Sequence, residues 1–165
     1  MLSKAVQNAI NEQINAELYS AYLYLSMSAY CAATNRPGSA GWMRIQAQEE
    51  LGHAMKFFGY VIDRGGRALL KAVGQPPGEF KSLLDIFQQA LEHEEEVTRK
   101  IHKLYEIATK ENDYATQVEL QWFITEQVEE EKTAGEIVQQ LKMIGDQAAP
   151  LFMLDRHLGM RAGGK

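Results

Sequence analysis

The chain has 165 residues, of which 45% are hydrophobic and 24% charged, and a net charge of −5. That length suits one domain able to bury about two-thirds of its unfolded surface, and the acidic balance argues against nucleic-acid binding, which needs a basic stripe. Cys31 is the single cysteine, which excludes an internal disulfide and a thiolate metal site; with no apolar signal core at the start and no run of ~18 apolar residues, a soluble, cytoplasmic protein outside the membrane is expected.

Apolar spacing is helical almost throughout. From Ser3 to about Ala33, the positions Ile10, Ile14, Glu17, Ala21, Tyr24 and Ser28 advance by three or four residues. Thr34-Asn35-Arg36-Pro37-Gly38 reads as a turn that ends this helix. Ser39 is the predicted N-cap of a second helix, 39–64, stopped by Gly65-Gly66. Residues 66–80, with Gly74-Gln75-Pro76-Pro77-Gly78, read as an extended crossover. Ser82 with Asp85 predicts the start of a third helix, 82–110, and the short break Glu111-Asn112-Asp113 folds a fourth, 114–144, back against it. Gly145-Asp146 ends that helix, and Pro150 suits the first turn of a short fifth, 150–159. The tail 161–165 is expected to be disordered. Short loop, long crossover, short loop is the connectivity of an all-α, ferritin-like four-helix bundle with a short fifth helix, in a single domain spanning 1–165.

One pattern occurs twice. Glu17 is followed 33 residues later by Glu50, with His53 three positions beyond; Glu94 is followed 33 residues later by Gln127, with Glu130 three beyond. The two halves are offset by 77 residues. On a helix, positions i and i+3 share a face, so each pair aims two side chains at one point. These residues also lie on the apolar stripes: Met43, Glu50, Ala54, Phe57 and Val61 with His53 beside them; Phe87, Leu91, Glu94, Ile101 and Tyr105; Leu120, Phe123, Gln127, Glu130, Ala134, Ile137 and Leu141. A buried ionised carboxylate must be protonated, paired or metal-bound. Lysines and arginines on these stripes are too few to neutralise four glutamates, and a pair of cations would do so. Hard oxygen donors with one imidazole suit iron or manganese rather than structural zinc. Alone, a Glu-x-x-His pair or an acidic run such as Glu92–Glu96 is more often a solvated face; four helices agreeing in phase is what selects a di-metal site. His93 and His102 fall off the stripe and are expected to be exposed.

Asn11-Glu12-Gln13, Asn15-Ala16-Glu17-Leu18-Tyr19-Ser20, Ala47-Gln48-Glu49-Glu50, Leu120-Gln121-Trp122 and Glu126-Gln127 extend the likeness. With them the whole chain resembles the bacterial and archaeal non-haem ferritins. The resemblance implies a ferroxidase, which oxidises Fe(II) with O₂ or H₂O₂ at an intrasubunit di-iron centre and stores ferric oxyhydroxide in a shell of about 24 subunits. It implies one iron site from Glu17, Glu50 and His53, a second from Glu50, Glu94 and Glu130, and Gln127 beside the bound oxygen species. It also implies a third iron site from Glu49, Glu126, Glu129 and Glu130, with Tyr24 as an electron donor next to the centre. Trp122 matches a redox-capable tryptophan, core packing being the equal alternative. The terminal helix would line a channel on a symmetry axis. Leu51-Gly52 stand where bacterioferritins place the haem methionine, and Met55 is one turn late, so no haem is expected. A haem-free bacterioferritin-like protein and a non-catalytic acidic helical scaffold remain as alternatives.

Overall fold

The computed structural model describes residues 1–161 and contains five helices: α1 (Lys4–Ala33), α2 (Pro37–Asp63), α3 (Leu83–Lys110), α4 (Tyr114–Ile144) and α5 (Ala148–Leu158). Among the described residues there is no strand, and no helix is long and apolar enough to cross a membrane. Ser3, Ser82 and Asp113 each accept a hydrogen bond from the backbone N–H three residues on and so cap α1, α3 and α4; such caps contribute about 1 kcal/mol each.

The two short turns repeat one another. Asn35 and Asn112 both adopt a left-handed conformation, with φ of 57° and 54°. The following N–H reaches back to close the helix end, Arg36 to the Cys31 carbonyl and Asp113 to the Ala108 carbonyl, both at 2.9 Å. Asparagine tolerates this backbone region better than other side chains. These two residues share the 77-residue offset of the carboxylates.

The long connection, 64–82, is held along α1. Asn11 receives the Leu69 N–H and donates to the Arg67 carbonyl, Ser26 donates to the Pro77 carbonyl, and Tyr30 donates to the Phe80 carbonyl. It runs the length of the bundle, so α3 starts at the level where α2 starts and lies parallel to it.

Two apolar clusters fill the bundle. One gathers the late part of α1 (Leu23, Tyr24, Met27, Cys31), early α2, early α3, late α4 and α5. The other gathers early α1 (Val6, Ile10, Ile14), Phe57 and Val61, the second half of α3, and Leu120 and Phe123. Between them lies a polar belt at the middle of the helices.

Three sequence expectations are corrected. The second helix starts at Pro37, not Ser39: proline at the first helical position forfeits no hydrogen bond, and Arg36 at the N-cap makes no side-chain cap. The capping acceptor comes instead from α5, where Asp155 receives the N–H groups of Gly38 (3.0 Å) and Ser39 (2.8 Å) and the Ser39 hydroxyl (2.7 Å). The final helix starts two residues earlier than expected, at Ala148. Arg161, assigned to a disordered tail, is held by three side chains described below; the rest of that tail, 162–165, lies outside the described residues.

Candidate metal centre

Glu17 comes from α1, Glu50 and His53 from α2, Glu94 from α3, and Gln127 and Glu130 from α4. All six are buried, the most accessible being Glu130 at 7%. Donor atoms of Glu17, Glu50 and His53 lie within 4.8 Å of one another, and so do those of Glu50, Glu94 and Glu130. Glu50 belongs to both groups, so two neighbouring cations could share its carboxylate.

The surrounding bonds hold these donors in place. Gln13 donates to Glu17 at 2.8 Å, leaving the second Glu17 oxygen buried without a partner. Gln46 donates to both Glu50 (2.9 Å) and Glu130 (2.8 Å). His53 Nδ1 lies 3.2 Å from the other Glu50 oxygen. Tyr24 donates through a short hydrogen bond to Glu94, and Gln127 donates to Glu94 at 3.1 Å. The Gln127 amide nitrogen is therefore already engaged by Glu94.

Burial is the first cause of the electrostatics. It pushes Glu17 up to about 8, with help from the Glu50 charge, and Glu94 and Glu130 each up to about 7. Glu50, hemmed in by Glu94 and Glu130, is raised well above the ordinary carboxylate range. Burial, together with the Glu94 charge, also raises the Tyr24 phenol. Among the described residues, the lysine and arginine ion pairs go to other carboxylates, such as Lys56–Glu119, Arg64–Asp113 and Arg161–Glu49, and none to these four glutamates. Four buried carboxyls, all shifted upward towards or beyond neutral pH, one with an orphaned oxygen, form a donor set that a pair of hard cations would complete.

Residues 7–144 match the ferritin family, described as a ferritin-like domain. A bacterial non-heme ferritin of Bacteroides fragilis (strain 638R) is 45% identical over 161 residues, spanning 98% of this chain and all of the relative. One from Staphylococcus haemolyticus (strain JCSC1435) is 41% identical over 162 residues, 98% of each. Among solved structures, a closed form of the Archaeoglobus fulgidus ferritin engineered by site-directed mutagenesis superposes with a TM-score of 0.98 at 50% identity, covering 99% of this chain and all of that one. The chain belongs to the ferritin family.

Outside the central donor groups, this ferritin has an acidic cavity of about 520 Å³, lined by Glu49, Glu126, Glu129 and Glu130 together with His53, Trp122 and Arg161. All four glutamates of the expected third site thus line one space. Donor atoms of Glu126 and Glu130 come together with His53 within 4.8 Å, while Glu49 is engaged by Arg161 at 2.6 Å. Trp122 is 42% exposed at the rim, its ring edge-on to His53 at 5.5 Å and under the Lys56 ammonium at 4.8 Å. Core packing, the equal alternative for this tryptophan, does not describe it.

His93 is a further correction. It is partly buried, 2.7 Å from the Ser20 hydroxyl and against the rings of Tyr19 and Tyr24, and burial lowers its imidazole to about 4. It sits at the seam between α3 and α1, wider than the single stripe its helix suggested. Gln13 and Gln46 were missed, although the signal was present. Each precedes a central glutamate by four residues, one turn back on the same face, and they too are 33 apart.

These shifts fix the pH dependence of the metal-free protein. An unfolded glutamate titrates near 4.5, whereas Glu17, Glu94 and Glu130 titrate near 8, 7 and 7 in the fold. Between those values the folded state holds more protons, so its stability falls as pH rises, by about 1.4 kcal/mol per pH unit for each retained proton. The melting temperature of metal-free protein is expected to drop between about pH 5 and about pH 8, and saturating Zn(II), which displaces those protons, should flatten the slope. Calorimetric melting across that range checks it; a melting temperature that climbs with pH would contradict the protonated state of the site.

Proposed function

We propose that this chain is an iron-storage ferritin subunit that oxidises Fe(II) at the centre of its own four-helix bundle. The observation that carries the reading is Glu50, shared by two three-donor groups within 4.8 Å. One Fe(II) is taken by Glu17, Glu50 and His53, the other by Glu50, Glu94 and Glu130. Binding displaces carboxyl protons, and the two ions together supply two electrons, reducing O₂ and two protons to H₂O₂, or H₂O₂ and two protons to two waters. Tyr24, hydrogen-bonded to Glu94, stands ready as a further one-electron donor, and Gln127, exchanging its hydrogen bond to the Glu94 carboxylate for one to the oxidant, orients it beside the second ion. Fe(III) then moves outward through the third site, Glu49, Glu126, Glu129 and Glu130, to the mineral.

Storage needs a shell, and the surface supports assembly. Tyr22, Leu25, Leu51 and Val73 form an exposed apolar patch on α1, α2 and the crossover, while Phe152 and Met153 of α5 are 63% and 70% exposed. Patches of this kind mark contacts with further copies, and a shell of about 24 subunits follows the family pattern. The solved relatives include both an open-pore ferritin from Archaeoglobus fulgidus and the engineered closed form. Haem has no part in the reading, since Leu51 and Gly52 follow the bridging glutamate. Cys31 is buried, and burial pushes its thiol up to about 11, which disfavours the reactive thiolate; a lone free cysteine suits a cytoplasmic protein.

Aerobic titration with Fe(II) should show a fast phase that saturates near two irons per subunit (~2, one for each donor group). Negative-stain images should show hollow spheres several helix-lengths across. Oxidation at the rate of buffer alone would favour the acidic scaffold instead.

A further inference from the structure

The outer cavity is lined on one side by Arg161, just beyond the end of α5. Arg161 donates to the Glu49 carboxylate at 2.6 Å and to the Gln46 side-chain oxygen at 2.9 Å, and its guanidinium carbon stands 4.4 Å from the centre of the Trp42 ring. Gln46 turns its nitrogen the other way, to Glu50 and Glu130. Its amide thus has one end on the central bridging carboxylate and the other on Arg161. Among the described residues lining the cavity, Arg161 carries the one permanent positive charge.

A guanidinium and a divalent cation cannot share Glu49 closely, because like charges in a partly desolvated site repel strongly. Trp42 provides a cation–π seat that holds the arginine in place. Arg161 lies three residues beyond the end of α5, so moving it aside disturbs no helix.

We propose that Arg161 is a built-in counter-cation of the outer site: it holds Glu49 when the cavity is empty, must be displaced by an incoming metal ion, and returns to expel it. It therefore acts as a positioning residue that weakens outer binding and favours passage over retention. The inference rests on the reading of Glu49, Glu126, Glu129 and Glu130 as an iron site.

Zn(II), which is redox-inert, tests it by anaerobic calorimetric titration of the assembled wild-type protein and of R161Q, R161K and E49Q. R161Q is expected to bind the outer Zn(II) about tenfold more tightly, with the two inner steps unchanged and the melting temperature within a degree or two (~1–2 °C). R161K keeps the charge and should stay near wild type, and E49Q should lose the outer step. Equal outer affinity in R161Q and wild type, with the step still lost in E49Q, would overturn the latch but leave the outer site standing. Weaker outer binding in R161Q would also overturn it, since Arg161 would then be supporting Glu49 for the metal. Only two steps in all four proteins would overturn the outer site and the latch together.

Discussion

Glu50→Ala is expected to bring the initial rate of aerobic Fe(II) oxidation down by about 100-fold or more, to that of buffer, while the protein still folds and assembles. Removing a hydrogen bond behind a metal ligand already costs about 10–100-fold in affinity or activity; Glu50 is itself a donor to both groups, so its loss strips two sites at once. His53→Ala removes a donor from the first group and should leave a single weak site, oxidising no faster than Glu50→Ala because one iron supplies one electron. The fold should tolerate the change. In the metal-free protein the Glu50 carboxyl is raised well above its ordinary range by burial and by its acidic neighbours, so deleting it relieves repulsion as well as removing packing. Glu95→Ala is the control: the same residue type in a helix of the same bundle, next to Glu94 on α3, but exposed, and its rate should equal wild type. Stopped-flow absorbance of freshly mixed Fe(II) reads all three. Wild-type rates in both Glu50→Ala and His53→Ala would remove the central site from the mechanism.

The belt of donors was legible because helical spacing carries phase. Glu17, Glu50, Glu94 and Glu130 each fell on an apolar stripe, and a charged residue in such a place demands a partner whatever the tertiary detail. The turns were legible for a similar reason: Asn35 and Asn112 end their helices by a local backbone preference. Contacts across the chain were not. The cap on α2 is Asp155, 116 residues from Ser39, and Ser39 has the composition of a local cap, so spacing alone pointed to the wrong residue. Arg161 reads as tail because Gly163 and Gly164 follow it, yet its partners Gln46 and Glu49 lie on another helix more than a hundred residues away. His93 escaped because one helix's stripe does not reveal how wide a face its neighbours cover.

Gly38→Ala should be the most damaging single-methyl change outside the metal centre. A Cβ at Gly38 would stand 1.7 Å from the Asp155 carbonyl oxygen and 2.6 Å from its carbon, a collision with helix backbone that no rotamer relieves. To make room, α5 must retreat by more than an ångström, about the difference between that distance and van der Waals contact. It then forfeits the three hydrogen bonds from Gly38 and Ser39 to the Asp155 carboxylate. Bonds to a charged acceptor contribute about 1.5–3 kcal/mol each, and the burial of Leu154 and Leu158 is loosened with them. A loss of about 3–5 kcal/mol is expected, which for a chain of this size lowers the melting temperature by roughly 10 °C. Asp155→Ala separates the two causes, since it removes the same bonds without the clash and should cost less. Gly41→Ala supplies the opposite sign three residues along: nothing lies within 4 Å of its Cβ, and alanine there raises helix propensity, stabilising by about 0.5–1 kcal/mol. Because the retreat of α5 carries Arg161 away from Glu49, Gly38→Ala should also tighten Zn(II) binding in the outer cavity while leaving Glu17, Glu50 and Glu94 in place, so a variant that melts early yet still oxidises Fe(II) quickly is the expected combination. A melting temperature equal to wild type would mean that α5 does not seat on Gly38.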